Sequence, residues 1–119
     1  KVVIVTGSRG WLHYAVVCDA LESHRPTLVV HGACPNSPDM MAQEWARDVE
    51  IDYFGMPARW RSEAKAAGPK RNQRMLERFP GALVLAFPLG KARGTNDCIF
   101  RARKLGHEVI VYDETGKTR

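Results

Sequence analysis

Ala82-Leu83-Val84-Leu85-Ala86-Phe87 runs into Pro88-Leu89-Gly90-Lys91-Ala92-Arg93-Gly94-Thr95. Six apolar residues in succession, with no polar residue at alternate positions, describe a strand covered on both faces, as in a parallel sheet. The polar, glycine-rich loop then leads to a helix predicted over Asn96 to Leu105, with Thr95 as its cap and Gly106 as its stop. Outward from this unit the same grammar repeats. Lys1-Val2-Val3-Ile4-Val5-Thr6 is a β-branched run ending in Gly7-Ser8-Arg9-Gly10, and Thr27-Leu28-Val29-Val30-His31 ends in Gly32-Ala33-Cys34-Pro35. Ile51 to Met56 is a weaker strand, and Glu108 to Tyr112 a fifth.

Helical periodicity fills the intervals. Leu12 to Ser23 puts Leu12, Val16 and Ala20 on one stripe, with Val17 and Leu21 beside it. Pro38 to Val49 buries Met41, Ala42, Trp45, Ala46 and Val49, with Ser37 as N-cap and Pro38 at the first helical position. Gly68-Pro69 opens a further helix carrying Asn72, Met75, Leu76 and Phe79, stopped by Pro80-Gly81. Pro57 to Ala67 reads equally as loop or short helix, and Asp113 to Arg119 is a polar tail. The order β-α-β-α-β-α-β-α-β predicts an α/β fold: a Rossmann-like three-layer α/β/α sandwich. Its five-stranded parallel sheet is expected in the order 3-2-1-4-5. Length fits one domain over residues 1–119.

The chain carries a formal net charge of +5, with a pI near 9.4, which suits an anionic partner. No apolar run approaches the roughly 18 residues that span a bilayer, and the first strand is too short for a signal peptide. Lys1 stands where a methionine would, so an initiator residue or tag is expected upstream. Cys18, Cys34 and Cys98 are odd in number and form no C-x-x-C pair, which favours a reducing, cytoplasmic setting over disulfides or structural zinc. His13, His24 and His107 show no metal-ligand spacing.

In open α/β sheets ligands bind at the carboxyl ends of the strands, near the reversal of strand order. That rule selects the loops after strands one, two and four. Each feeds a helix N-terminus, where free N–H groups and the dipole favour an anion. Arg9 adds a bidentate donor and Thr95 a hydroxyl. Glycine for turning alone explains one such loop; three on one edge favour a phosphate site. Neither the dinucleotide fingerprint G-x-G-x-x-G nor the Walker sequence is present.

Four motifs then occur in order: Thr6-Gly7-Ser8-Arg9; His31-Gly32-Ala33-Cys34-Pro35 with Asp39 and Ala46; Gly68-Pro69-Lys70-Arg71-Asn72; and Ala86-Phe87-Pro88 with Gly94-Thr95-Asn96-Asp97. Together they resemble the YspA/YpsA-like branch of the SLOG superfamily, which also holds the LOG phosphoribohydrolases and the DNA-processing protein DprA. The resemblance covers nearly the whole chain. It implies a domain that binds nucleotides or nucleotide-derived ligands, of a kind common as small stand-alone proteins in bacteria and phages. The loop rule and the resemblance together select as ligand set Thr6, Gly7, Ser8, Arg9, Gly32, Ala33, Cys34, Asp39, Arg71, Asn72, Pro88, Gly90, Gly94 and Thr95. LOG enzymes carry P-G-G-x-G-T-x-x-E with a catalytic glutamate. Here Leu89 replaces the first glycine and Cys98 stands at the glutamate's place, leaving Asp97 as the nearest carboxylate.

Three readings follow. The first is binding of a phosphorylated nucleoside or nucleotide derivative, as sensor or carrier. No cofactor is required, although a Mg²⁺ ion accompanying the nucleotide is left open. The second is hydrolysis of a nucleotide N-glycosidic bond, with Asp97 or Asp39 stabilising the oxocarbenium-like centre. The third is nucleic-acid binding by Arg59, Arg61, Lys65, Lys70, Arg71 and Arg74. A membrane partner is not expected, and pairing of two copies through helices is left open.

Several residues carry a structural alternative at this point. Asp39 suits a helix start as well as a ribose hydroxyl or a cation, and Asp97 suits helix electrostatics. Lys91 and Arg93 either close over phosphates or stay solvated. Trp11 and Trp60 either stack on a base or pack, and Trp45 belongs to a buried stripe. Cys18 and Cys98 read as core-facing thiols, and a Cys34–His31 nucleophile is disfavoured.

Overall fold

The computed structural model describes residues 1–119. Its elements are β1 (Val2–Gly7), α1 (Tyr14–His24), β2 (Leu28–His31), α2 (Pro38–Asp48), β3 (Asp52–Gly55), α3 (Trp60–Glu63), α4 (Ala67–Arg78), β4 (Leu83–Phe87), α5 (Arg93–Lys104) and β5 (Val109–Val111). A single 3₁₀ turn, Ala64–Ala66, joins α3 to α4. The five strands pair in parallel in the order β3-β2-β1-β4-β5. This is the expected Rossmann-like sheet, with the order reversing between β1 and β4.

Alternation along each strand divides the core into two layers. Val3, Val5, Val29, Leu85 and Phe87 pack with Val17, Leu21, Ala42 and Trp45 of α1 and α2. Ile4, Val30 and Val84 face the other way, onto Met75, Leu76, Cys98 and Ala102 of α4 and α5. Both faces of β1, β2 and β4 are therefore dry, which is why those segments read as unbroken apolar runs. No helix is long and apolar enough to cross a membrane.

Three helix details differ from the sequence reading. Leu12 is 83 % exposed and lies before α1, whose first residue is Tyr14. Trp11 takes the core place instead: it meets Phe87 edge-on, and its Nε1 donates to the His13 carbonyl at 3.0 Å. That turn swings Leu12 outward. Val49 falls just past α2 and is exposed rather than buried. Helix α5 begins three residues earlier than predicted. Its N-cap is Ala92, in a left-handed conformation with φ 47°, so Thr95 is a buried first-turn residue and not the cap.

At α2 the sequence signal held. Ser37 is the extended N-cap, its Oγ accepting from the Asp39 N–H at 3.1 Å, and Pro38 follows at the first position. This helix start lies directly against the end of β1. A Cβ added at Gly7 would lie 2.8 Å from both Cβ and Cδ of the Pro38 ring. The ring cannot rotate away, so Gly7→Ala is expected to destabilise by about 1–3 kcal/mol through overpacking. The check is a lowered urea midpoint at unchanged slope; an unchanged midpoint would mean that α2 yields freely.

Candidate ligand-binding cleft

The loops after β1 and β4 are tied together at the point of strand-order reversal. The Ser8 N–H donates to the Phe87 carbonyl at 3.1 Å, and the Ser8 Oγ accepts from the Leu89 N–H at 2.9 Å. Beside this junction opens a cleft of about 870 Å³, bounded by β1, the loop after β2, α3, α4 and the start of α5. Thr6, Gly7, Ser8, Arg9, Cys34, Asp39, Arg71, Asn72, Gly94, Thr95 and Asp97 all line it. The structure thus brings these sequence-selected residues to one place. Gly32, Ala33, Pro88 and Gly90 do not line the cleft.

Gly32 has a different task. The Arg71 guanidinium lies so close that a Cβ at position 32 would fall inside it, and Arg71 Nη1 donates to the Gly32 carbonyl. Nor are the amides after β2 free for an anion. The Gly32 and Cys34 N–H groups donate to Asp39 Oδ2 at 3.1 and 3.2 Å, and the Ala33 N–H donates to His31 Nδ1 at 3.0 Å. His31 is itself buried, its Nε2 2.7 Å from Gln43 Oε1, and burial lowers its pKa. Its two ring nitrogens thus meet Gln43 and the Ala33 amide, and neither meets the Cys34 sulfur.

Asp39 is 3 % exposed, and its Oδ1 has no hydrogen-bond partner. Burial pushes its pKa up to about 6, against the pull of the Cys34 amide, the Arg71 charge and the Gly32 amide. A buried carboxylate oxygen without a donor is costly, and this one belongs to a residue lining the cleft. Arg71, 8 % exposed, is the buried cation nearby. Besides Gly32 it serves the Met56 carbonyl at 3.2 Å, Asn72 Oδ1 at 2.9 Å from Nε, and the Cys34 sulfur at 3.9 Å.

Asn72 passes this network on to α5. Its Nδ2 donates to the Gly94 carbonyl at 3.3 Å and to Asp97 Oδ2 at 3.0 Å. Asp97 also accepts from Arg101 Nε at 3.0 Å, one turn on, and Arg101 Nη1 reaches Gln73 Oε1. Asp97 lies in the second turn of α5 because the helix starts early. Cys98, at the place of the LOG glutamate, is fully buried, and burial raises its thiol to about 12 with Thr6 pulling back.

The cleft fits a divalent cation poorly. Asp97 is engaged by Arg101, Asp39 Oδ2 by two amides, and no three His, Cys, Asp or Glu side chains gather for a metal. Anions suit it better. Arg9, Lys65 and Arg93 are exposed at the rim and Arg71 lies at the floor, against the two carboxylates. Helix α5 has no side-chain cap, and Arg93, Gly94 and Thr95 in its first turn face the same space. Gly68 and Pro69 of the third motif line it as well, and Trp60, Lys65, Leu89 and Ala92 complete the lining from outside the four motifs. For Trp60 and Lys65 the deciding contact is long-range. Arg74 grips Glu63 through two bonds of 3.0 and 3.1 Å and folds α3 over α4, which no local periodicity encodes.

The sequence profile of the YspA, cpYpsA-related SLOG family matches residues 1–62. The chain belongs to that family. This SLOG chain is also 37 % identical over 122 residues to the "Gene 61 protein" of Mycobacterium phage D29, covering 94 % of this chain and 96 % of that one. The matched half of the SLOG chain holds β1, β2 and β3 with the Thr6–Arg9 and His31–Asp39 motifs, and so includes Asp39 with its two amide donors.

Proposed function

We propose that residues 1–119 act as one nucleotide-binding domain whose cleft holds a phosphorylated nucleoside or a nucleotide-derived ligand, as sensor or carrier. The observation that carries this reading is the meeting of Arg9, Arg71, Arg93 and the uncapped start of α5 in one cleft at the strand-order reversal. Phosphate oxygens would take the rim cations and the α5 amides, while Asp39 Oδ1 offers an acceptor for a sugar hydroxyl. The partner in this reading is a small molecule rather than a nucleic acid. Of the basic run from Arg59 to Arg74, Arg71 is buried and Arg74 is paired with Glu63, which breaks up a phosphate-tracking stripe. Family membership supports a nucleotide-related ligand without naming it.

Thermal melting with AMP, ADP-ribose, NAD and cyclic nucleotides at millimolar concentration is the test. A ligand at 100 times its dissociation constant adds about 2.7 kcal/mol of stability, which is several degrees for a domain of this size. Absence of any shift across the set would overturn the reading. A second reading, N-glycosidic hydrolysis, is favoured by one observation: Asp39, a residue of the cleft's lining, has a buried carboxylate oxygen without a hydrogen-bond partner. Its mark would be free adenine in the AMP sample. Asp97 supports it less, because both its oxygens are held by Arg101 and one also by Asn72.

A further inference from the structure

The three tryptophans of the chain are not alike. Trp11 and Trp45 are 1 % and 6 % exposed and belong to the core, whereas Trp60 is 56 % exposed. An indole left in water while lining a cleft is the informative exception to ordinary burial. Trp60 is also held in place. Its edge lies beside Gly68: a Cβ added there would stand 3.7 Å from Cη2, at ordinary van der Waals distance, so the ring rests against the start of α4. The short α3 that carries it is closed by the Glu63 N–H donating to the Arg59 carbonyl at 2.9 Å. The two-bond Glu63–Arg74 pair then fastens it to α4. Trp60 pairs with no other aromatic ring and no cation of the chain. Its face is a platform without an occupant from within the protein, beside Lys65 and Arg71.

We infer that Trp60 is the surface on which the base of the ligand stacks, and that it selects base-bearing phosphates over plain sugar phosphates. The inference rests on the nucleotide reading above and deepens it. Every nucleobase offers a π-face, so stacking secures the class of ligand and leaves the choice of base to other contacts. The basic rim holds the anionic end, and the indole adds the discrimination that charge alone lacks.

The experiment compares AMP with ribose 5-phosphate on the full chain and on Trp60→Ala and Trp60→Leu, by calorimetry and by tryptophan emission. AMP is expected to bind the parent chain about tenfold to a hundredfold more tightly than ribose 5-phosphate. Both variants are expected to lose that margin and to hold ribose 5-phosphate within about twofold of the parent value. Because Trp11 and Trp45 are buried, the acrylamide-accessible emission reports Trp60, and AMP is expected to shield it while ribose 5-phosphate does not. The leucine variant keeps apolar bulk without the aromatic face, so it separates stacking from packing should the alanine variant fold poorly. Equal affinity of the two ligands for the parent chain, or undiminished AMP binding by Trp60→Leu, would overturn the role of Trp60 and leave the anion site standing. Failure of both ligands, together with the rest of the nucleotide set, would overturn the reading and the inference together.

Discussion

Arg71→Ala is expected to destabilise the protein by about 2–4 kcal/mol, the combined cost of buried acceptors left without their donor and of the void that truncation opens. Arg71 joins the loop after β2, through the Gly32 carbonyl, to the end of β3, through Met56, and to Asn72 on α4. Truncation leaves the Gly32 and Met56 carbonyls short of a donor and opens a void against Gly32. It also removes the cation that holds the Asp39 carboxyl down. Arg71→Lys is expected to recover little, since a single ammonium on a flexible stem cannot serve these separate acceptors in one plane. Urea denaturation of the two variants tests this. A loss under about 1 kcal/mol for Arg71→Ala would place its guanidinium outside the structural network, at the level of a surface contact.

The second large effect is a dependence of stability on pH that belongs to Asp39. Its native pKa stands at about 6, above the ordinary 3.8, chiefly because burial penalises the charge. The native state therefore binds this proton more readily than the unfolded chain does. Asp39 contributes stability fully below pH 3.8 and loses it as pH rises through about 6. The amplitude is about 3 kcal/mol between those limits. Burial lowers the pKa of His31 and His24, so protonating them in acid works against the fold. Hydrogen bonds keep Glu63 and Asp113 below the usual carboxylate range, and their loss in acid acts in the same sense. The Asp39 contribution is thus read from the parent chain minus Asp39→Asn at each pH from 4 to 8. A flat difference would show that the carboxyl titrates near its ordinary value. In the nucleotide reading, a bound sugar hydroxyl donating to Oδ1 stabilises the carboxylate and moves the whole window to lower pH.

The parts of the fold legible in the sequence are those where local pattern and tertiary demand coincide. The apolar run before Pro88 gave β4, the Ser37-Pro38 pair gave the start of α2, and the alternation of strands and helices gave the sheet order. Leu12 misled because its periodicity matched a helix face that Trp11 closes off by turning the chain. Thr95 looked like a cap by residue type, yet Ala92 in a left-handed conformation starts α5 a turn sooner. In the cleft, residue types were readable and partners were not. Arg71, Asn72 and Asp97 fit the motif pattern, but their joining across three elements depends on tertiary approach. Glycine 32 looked like room for a phosphate and is room for a guanidinium.

The bond from the Leu89 amide to the Ser8 hydroxyl spans 81 positions of the chain. The stretch that carries the family signature, residues 1–62, stops short of β4, α4 and α5. It therefore supplies one bank of the cleft and lacks the other. During synthesis the opposing bank emerges last, so a nascent or clipped chain holding the recognisable half has the signature without a complete cleft.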